Sequence, residues 1–236
     1  VLDIAIKGMI HVLDACRKHN VGELMLASSS EVYQTPPYLP TDEAVPLSVP
    51  DPLNPRYSYG GGKIACELMA INYGRTGFER VMIFRPHNAY GPDMGWEHVI
   101  PDFSLRMKRL SAKTGPIDFP IQGTGLETRA FVHIDDFTDG IETMLNHGKH
   151  LNIYNIGSNE EVTMTDLAQK VAACFDREIK LKPTRAPEGA TNRRCPDIAK
   201  LNALGYTSKI RLHNGLPDVV GWYADHADMA PAESTL

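Results

Sequence analysis

Leu24-Met25-Leu26-Ala27-Ser28-Ser29-Ser30-Glu31-Val32-Tyr33 joins a short apolar run to a cluster of hydroxyls, and its reading decides the fold. Four apolar residues that stop abruptly are too few for a helix and suit a strand buried on both faces of a parallel sheet. Upstream, Ile6, Met9, Ile10, Leu13 and Cys16 step by three and four, the spacing of an amphipathic helix. Downstream, the proline-rich stretch from Pro36 to Pro55 excludes regular helix and predicts a long loop. A second helix is predicted from about Tyr57 to Tyr73, with Ile64, Leu68 and Ile71 on one face, and it leads into a strand at Val81-Met82-Ile83-Phe84. Helix alternating with strand predicts an α/β fold with a doubly wound parallel sheet. Ligands of such sheets bind at the carboxyl ends of the strands, where the serines stand.

Beyond Gly91 the pattern loosens. A helix is expected from about Pro101 to Leu110, then strands near Ile117 and at Ala130 to Ile134, a helix from Asp136 to Leu145, and a strand from Leu151 to Ile156. Thr163-x-x-Asp166 resembles a helix-capping sequence, with Leu167 to Phe175 continuing the helix. A short strand at Ile179 to Leu181 and a last helix around Leu216 to Tyr223 follow, and the tail from Asp225 is expected to fray.

The 236 residues are 42% hydrophobic and 22% charged, enough for one or two packed units. Lysine and arginine total 24 against 29 aspartate and glutamate, without a run of like charge, so small-molecule partners are favoured over nucleic acid. No apolar stretch approaches the roughly 20 residues of a membrane span. Cys16, Cys66, Cys174 and Cys195 are widely spaced without a CxxC pair, which predicts reduced thiols in a cytoplasmic protein. His87, His98 and His133 have no metal-binding spacing, and no metal is expected.

Tyr59-Gly60-Gly61-Gly62-Lys63 places a phenol and an ammonium four residues apart on one helix face. A cation beside a phenol favours its ionised form and makes it a usable base. Gly60-x-Gly62-x-x-Ala65 has the letters of a dinucleotide fingerprint, but it follows a proline loop where the fingerprint requires a strand.

Taken in order, Ser28 to Tyr33, the proline loop, Asn54-Pro55-Arg56-Tyr57-Ser58-Tyr59-x-x-x-Lys63, and Arg85-Pro86-His87-Asn88-Ala89-Tyr90-Gly91-Pro92 resemble the extended short-chain dehydrogenase/reductase family, in particular its NAD-dependent nucleotide-sugar epimerases and dehydratases. The likeness continues through Gly123-x-Gly125, Thr128 to Asp136, and Tyr154-Asn155-Ile156-Gly157, and ends near Arg194 to Asp197. The resemblance implies a Rossmann-like NAD domain from 1–90 plus 128–150, a smaller α/β nucleotide-sugar domain from 91–127 plus 151–228, and a tail at 229–236. It implies that the family's glycine-rich cofactor turn, within roughly 70 to 90 further residues, precedes Val1. It also implies a homodimer paired through the helix before the serine strand and the Tyr-x-x-x-Lys helix.

By the same resemblance Ser29 bonds the sugar O4, Tyr59 removes its proton, and Lys63 holds the nicotinamide ribose. Ser28 and Pro86 join Tyr59 and Lys63 on the cofactor side. Ser30, Asn88, Arg129 and Arg194 join Ser29 on the side of the nucleotide-diphosphate sugar, the arginines on its diphosphate. Glu31 is the candidate base for elimination, because some dehydratases and decarboxylases carry an acid there. Reading these residues alone also leaves open Asn88 as a turn cap and Arg129 as a strand-edge charge. The reaction expected is C4 epimerisation or 4,6-dehydration through a 4-keto sugar. A nucleotide-sugar decarboxylase and a non-catalytic NAD-binding regulator are the alternatives. Gly62 stands where the family has serine, and close backbone approach to the cofactor is the expected reason for three glycines in a row.

Overall fold

The structure, a computed structural model, describes residues 1–186, 189 and 191–231. In chain order its elements are α1 (Leu2–Lys18), β1 (Glu23–Ala27), α2 (Ser58–Gly77), β2 (Arg80–Pro86), β3 (Ala89–Tyr90), α3 (Val99–Ser111), β4 (Ile117–Gln122), β5 (Thr128–Ala130), β6 (Val132–His133) and α4 (Ile134–His147). There follow β7 (Asn152–Ile156), β8 (Glu161–Thr163), α5 (Met164–Ala173), β9 (Ile179–Thr184), β10 (Arg193–Arg194), α6 (Ala199–Asn202) and α7 (Leu212–Asp225). The chain divides into two compact units, one of Val1–His87, Asp135–Asn159 and Cys195–Ser208, the other of Asn88–Ile134, Glu160–Arg194 and Lys209–Leu236.

In the first unit β1, β2 and β7 form a parallel sheet with β2 in the centre. Side chains alternate faces along a strand. Val81 and Ile83 of β2 pack with Met9, Leu13, Cys66 and Ala70 of α1 and α2 on one face. Met82 and Phe84 pack with Met144 of α4 and Leu201 of α6 on the other. Helices thus cover both faces, the doubly wound arrangement the sequence predicts. The proline loop is stitched down where the Thr41 amide donates to the Cys195 carbonyl and the Asp197 amide donates to the Thr41 carbonyl.

The second unit has its own core, with Phe103 and Met107 of α3, Phe119 and Ile121 of β4, Leu167 and Val171 of α5 and Leu216 and Val220 of α7. β4 pairs in parallel with β9, β5 lies between β8 and β10, and β3 pairs with β6. Thr163 caps α5 as its sequence predicts, its hydroxyl accepting from the Asp166 amide at 3.0 Å.

Three expectations are corrected. The strand expected from Ala130 to Ile134 is two strands and a helix start, because the chain changes partner at Phe131: β5 pairs with β8 and β10, β6 with β3. Asp135 and Asp136 then occupy the first turn of α4, where the helix dipole favours acids. Residues 152–156, expected in the second half, join the first unit because β7 pairs with β2, and Cys195–Ser208 belongs there too. Residues 128–134 fall in the second unit. The tail is ordered further than expected, with α7 reaching Asp225 and a 3-10 turn at Ala227–Met229. Of the expected tail 229–236, residues 232–236 lie outside the described residues.

Candidate active site

β1 ends at Ala27, and the chain turns at once into a 3-10 turn over Ser30–Tyr33 whose cap is Ser29. The Ser29 hydroxyl accepts from the Glu31 amide at 3.1 Å, which fixes its side chain at the head of the turn. Facing this segment is α2, launched by a second 3-10 turn in which Asn54 accepts from the Arg56 amide and Pro55 supplies the preset φ. Tyr59, Lys63 and Glu67 follow at intervals of four, so they form one row on α2. The Lys63 ammonium donates to the Ala27 carbonyl at 2.8 Å and lies 5.7 Å from the centre of the Tyr59 ring. Tyr59 itself is 46% exposed. Ser28, Ser29, Ser30, Glu31, Tyr59 and Lys63 are thereby gathered at the carboxyl end of β1, with Pro86 ending the neighbouring strand β2.

The third member of the row, Glu67, and its partner Arg85 have no role assigned from the sequence. Arg85 donates to both oxygens of Glu67, at 2.9 and 2.6 Å, and both side chains are within 3% of complete burial. Ser28 donates its hydroxyl proton to Glu67 at 2.5 Å, which ties the start of the turn to α2. Arg85 also donates to the Tyr33 hydroxyl at 2.7 Å, and Tyr33 donates to the Asn155 amide oxygen at 2.8 Å. Asn155 completes the network by donating to the carbonyls of Thr41 and Asp197. Burial pushes the Tyr33 phenol up to about 12 against the opposing pull of Arg85. Two signals point here: the fourth-residue spacing from Lys63 to Glu67, and a charged residue directly after the apolar run Val81 to Phe84.

The three glycines have a packing reason within the protein. A Cβ at Gly60 would lie 2.6 Å from the Gln34 side-chain nitrogen and 2.8 Å from the Glu31 carbonyl. At Gly62 it would meet Ala5 and Leu2 of α1 at 3.3 and 3.4 Å, and at Gly61 it would meet Val49 at 3.3 Å. The glycines let α2 approach the serine turn, the proline loop and α1.

The other candidates lie in the second unit. Asn88 has a left-handed φ of 42°; its amide donates to the Ala130 carbonyl at 2.9 Å and its own carbonyl accepts from the Val132 amide. It pins the chain where β5 passes to β6. Arg129 and Arg194 are register partners on the parallel strands β5 and β10. Arg129 donates to the carbonyls of Thr128 and Thr191, both at 2.7 Å, and Arg194 donates to the Thr191 hydroxyl at 3.3 Å. The register places the two guanidinium-bearing residues side by side on neighbouring strands. Guanidinium groups suit bidentate bonding to an anion such as a phosphate.

Comparison with known proteins agrees with this arrangement. GDP-L-fucose synthase 1 of Arabidopsis thaliana is 30% identical over 221 residues, which cover 90% of this chain and 67% of that protein. UDP-glucuronic acid decarboxylase 3 of Arabidopsis thaliana is 32% identical over 197 residues, 82% of this chain and 55% of that protein. The chain therefore spans between about half and two thirds of the length of these curated relatives. Among solved structures, DesIV, a dTDP-glucose 4,6-dehydratase from Streptomyces venezuelae with NAD and TYD bound, superposes with a TM-score of 0.83 at 27% identity, over 97% of this chain and 68% of that one. The model of the NAD dependent epimerase/dehydratase family matches residues 1–157, and the chain belongs to that family.

Proposed function

We propose that the protein is an NAD-dependent nucleotide-sugar epimerase or dehydratase working through a 4-keto sugar. The observation that carries the reading is the Tyr59–Lys63 pair, set on one face of α2 with the ammonium anchored to Ala27 beside the serine turn. The donor set fits a nicotinamide ribose: an ammonium has three donors, and the bond to Ala27 occupies one. Bound NAD would supply the oxidant for the C4 alcohol. Tyr59 would take the proton of that alcohol, and Ser29, fixed by its bond to the Glu31 amide, would orient its oxygen. Arg129 and Arg194 would hold the diphosphate, as their paired charges suit. Asn88, pinned to Ala130, would keep its remaining amide proton for the substrate.

The homodimer is part of this proposal. Ile4 of α1 is 80% and Leu68 of α2 57% exposed, on two helices packed side by side. Apolar residues this open on adjacent helices suit a second copy. A cytoplasmic location is proposed on the four cysteines, which are held as free thiols. Decarboxylation of a UDP-glucuronic acid is the second reading, favoured by Glu31 and by the 32% identical relative.

The test is to mix the NAD-loaded protein with dTDP-glucose, UDP-glucose and UDP-glucuronic acid, following product mass and the reduced-nicotinamide absorbance. Conversion of any one substrate is expected. A protein that binds NAD and sugar nucleotides yet changes neither mass nor absorbance would be the non-catalytic regulator.

A further inference from the structure

The carboxylate of Glu67 and the guanidinium of Arg85 are buried together beneath the serine turn, and the proposed chemistry uses neither. Their bonds reach the turn at both ends. Glu67 takes the hydroxyl of Ser28, just before Ser29, and Arg85 takes the hydroxyl of Tyr33, just after Glu31 and Val32. The same Glu67 stands on α2 two helical turns from Tyr59 and one from Lys63. Arg85 also has its guanidinium carbon 4.8 Å from the centre of the Tyr33 ring. Its bidentate grip on Glu67 fixes the orientation of both groups more tightly than a single bond would.

We infer that Glu67 and Arg85 are positioning residues, whose buried pair clamps the Ser28–Tyr33 turn to α2 at two points and so fixes Ser29 and Glu31 with respect to Tyr59. The inference rests on the proposed function of Tyr59 and Ser29. Two bonds five positions apart hold the intervening segment in orientation as well as in place, which a single anchor would not do. The clamp lies within the first unit and joins three elements: α2 through Glu67, β2 through Arg85, and the turn through Ser28 and Tyr33. Tyr33 is held from its other side by Asn155 of β7, so the far end of the turn is tied to the sheet as well. A buried charge pair suits this work because each partner is costly to leave alone, and the pair therefore resists any movement that separates it.

The test uses the intact NAD-bound enzyme and the variants Tyr33→Phe, Ser28→Ala and Glu67→Gln. Tyr33→Phe and Ser28→Ala remove one anchor each without leaving a charge unpaired. Both should lower kcat by roughly 10- to 100-fold, the scale of an ångström-sized misplacement, with KM within about twofold and NAD still retained. Assays run well below the melting temperature of each variant separate this from a loss of fold. Glu67→Gln should show the same kcat loss if it folds, and the other two variants decide the matter if it does not. Unchanged kcat in both Tyr33→Phe and Ser28→Ala, with Tyr59→Phe inactive, overturns the clamp and leaves the proposed function standing. If Tyr59→Phe keeps its activity, the reading of the site itself fails.

Discussion

The Lys63 ammonium sits 5.7 Å from the centre of the Tyr59 ring while donating to the Ala27 carbonyl at 2.8 Å. The bond to β1 stops the lysine from following solvent and keeps its charge on the phenol side of α2. Tyr59→Phe removes one half-exposed hydroxyl and nothing from the core. Turnover should fall by roughly two to four decades, the usual loss for an acid-base group, with melting temperature and sugar-nucleotide affinity unchanged. Retention of more than half the activity would refute the role.

Arg129→Ala and Arg194→Ala should each weaken binding of the nucleoside diphosphate by about 1.5 to 3 kcal/mol, the range of a charge-assisted bond. The two differ in a second respect. Arg129 also ties Thr128 to Thr191 through its carbonyl bonds, so its removal should lower thermal stability as well. Calorimetry against the free nucleoside diphosphate separates these effects, and unchanged affinity in both variants removes the pair from the site.

The alternation of helix and strand that builds the first unit is legible because α1, β1, α2 and β2 each have a strong local period. Tyr59 and Lys63 are legible for the same reason, a spacing on one helix. The break at Phe131 is not, because it depends on which strands lie alongside β5 and β6. Helix α7 starts four residues before its expected position. Pro217 sits inside α7, where core contacts of Leu212 and Leu216 outweigh its cost. The Glu67–Arg85 pair was half legible: a charge in an apolar strand implies a partner, but only the fold names it. The packing of the three glycines is not legible, since sequence cannot tell that the Glu31 carbonyl and α1 lie against them.

Gly60→Ala sets helix propensity against packing. Alanine gains about 1 kcal/mol in a helix interior, but its Cβ would meet the Glu31 carbonyl, and overpacking costs about 1 to 3 kcal/mol. The variant should be less stable than the parent and less active, since the backbone that must yield bears Glu31. Gly8→Ala on α1 meets nothing within 4 Å and should gain up to about 1 kcal/mol. Thermal melts of the two variants check this, and equal gains in both would mean that the close approach at Gly60 is absent in solution.

Tyr33 provides a pH dependence. Its phenol is pushed up to about 12 in the folded protein by burial, with Arg85 opposing, against about 10 when unfolded. The folded state holds the proton longer, so this contribution to stability is fully present below about pH 10 and is lost as pH rises towards 12. A difference of that size corresponds to ~3 kcal/mol. Denaturant unfolding of the parent and Tyr33→Phe from pH 9 to 12 should converge or cross, the parent losing stability faster. Parallel curves would mean that the phenol is no harder to ionise when folded.

Glu31 tests which reaction follows C4 oxidation, because a carboxylate near C5 has work in elimination and little in simple inversion at C4. Its amide is bonded to Ser29 and its carbonyl accepts from the Gln34 side chain, so the backbone at this position is held from both directions. A held backbone confines the carboxylate to few orientations, as a base needs. Once C4 is a ketone, the C5 proton is acidified, and a dehydratase would use Glu31 to remove it. Glu31→Gln keeps the size and removes the base. In a dehydratase, C4 oxidation should persist and elimination stop, so that reduced cofactor and 4-keto sugar accumulate, seen by absorbance and mass. If the protein instead interconverts C4 epimers and Glu31→Gln does so at the same rate, Glu31 has no part in the chemistry, and the epimerase form of the proposed function stands alone.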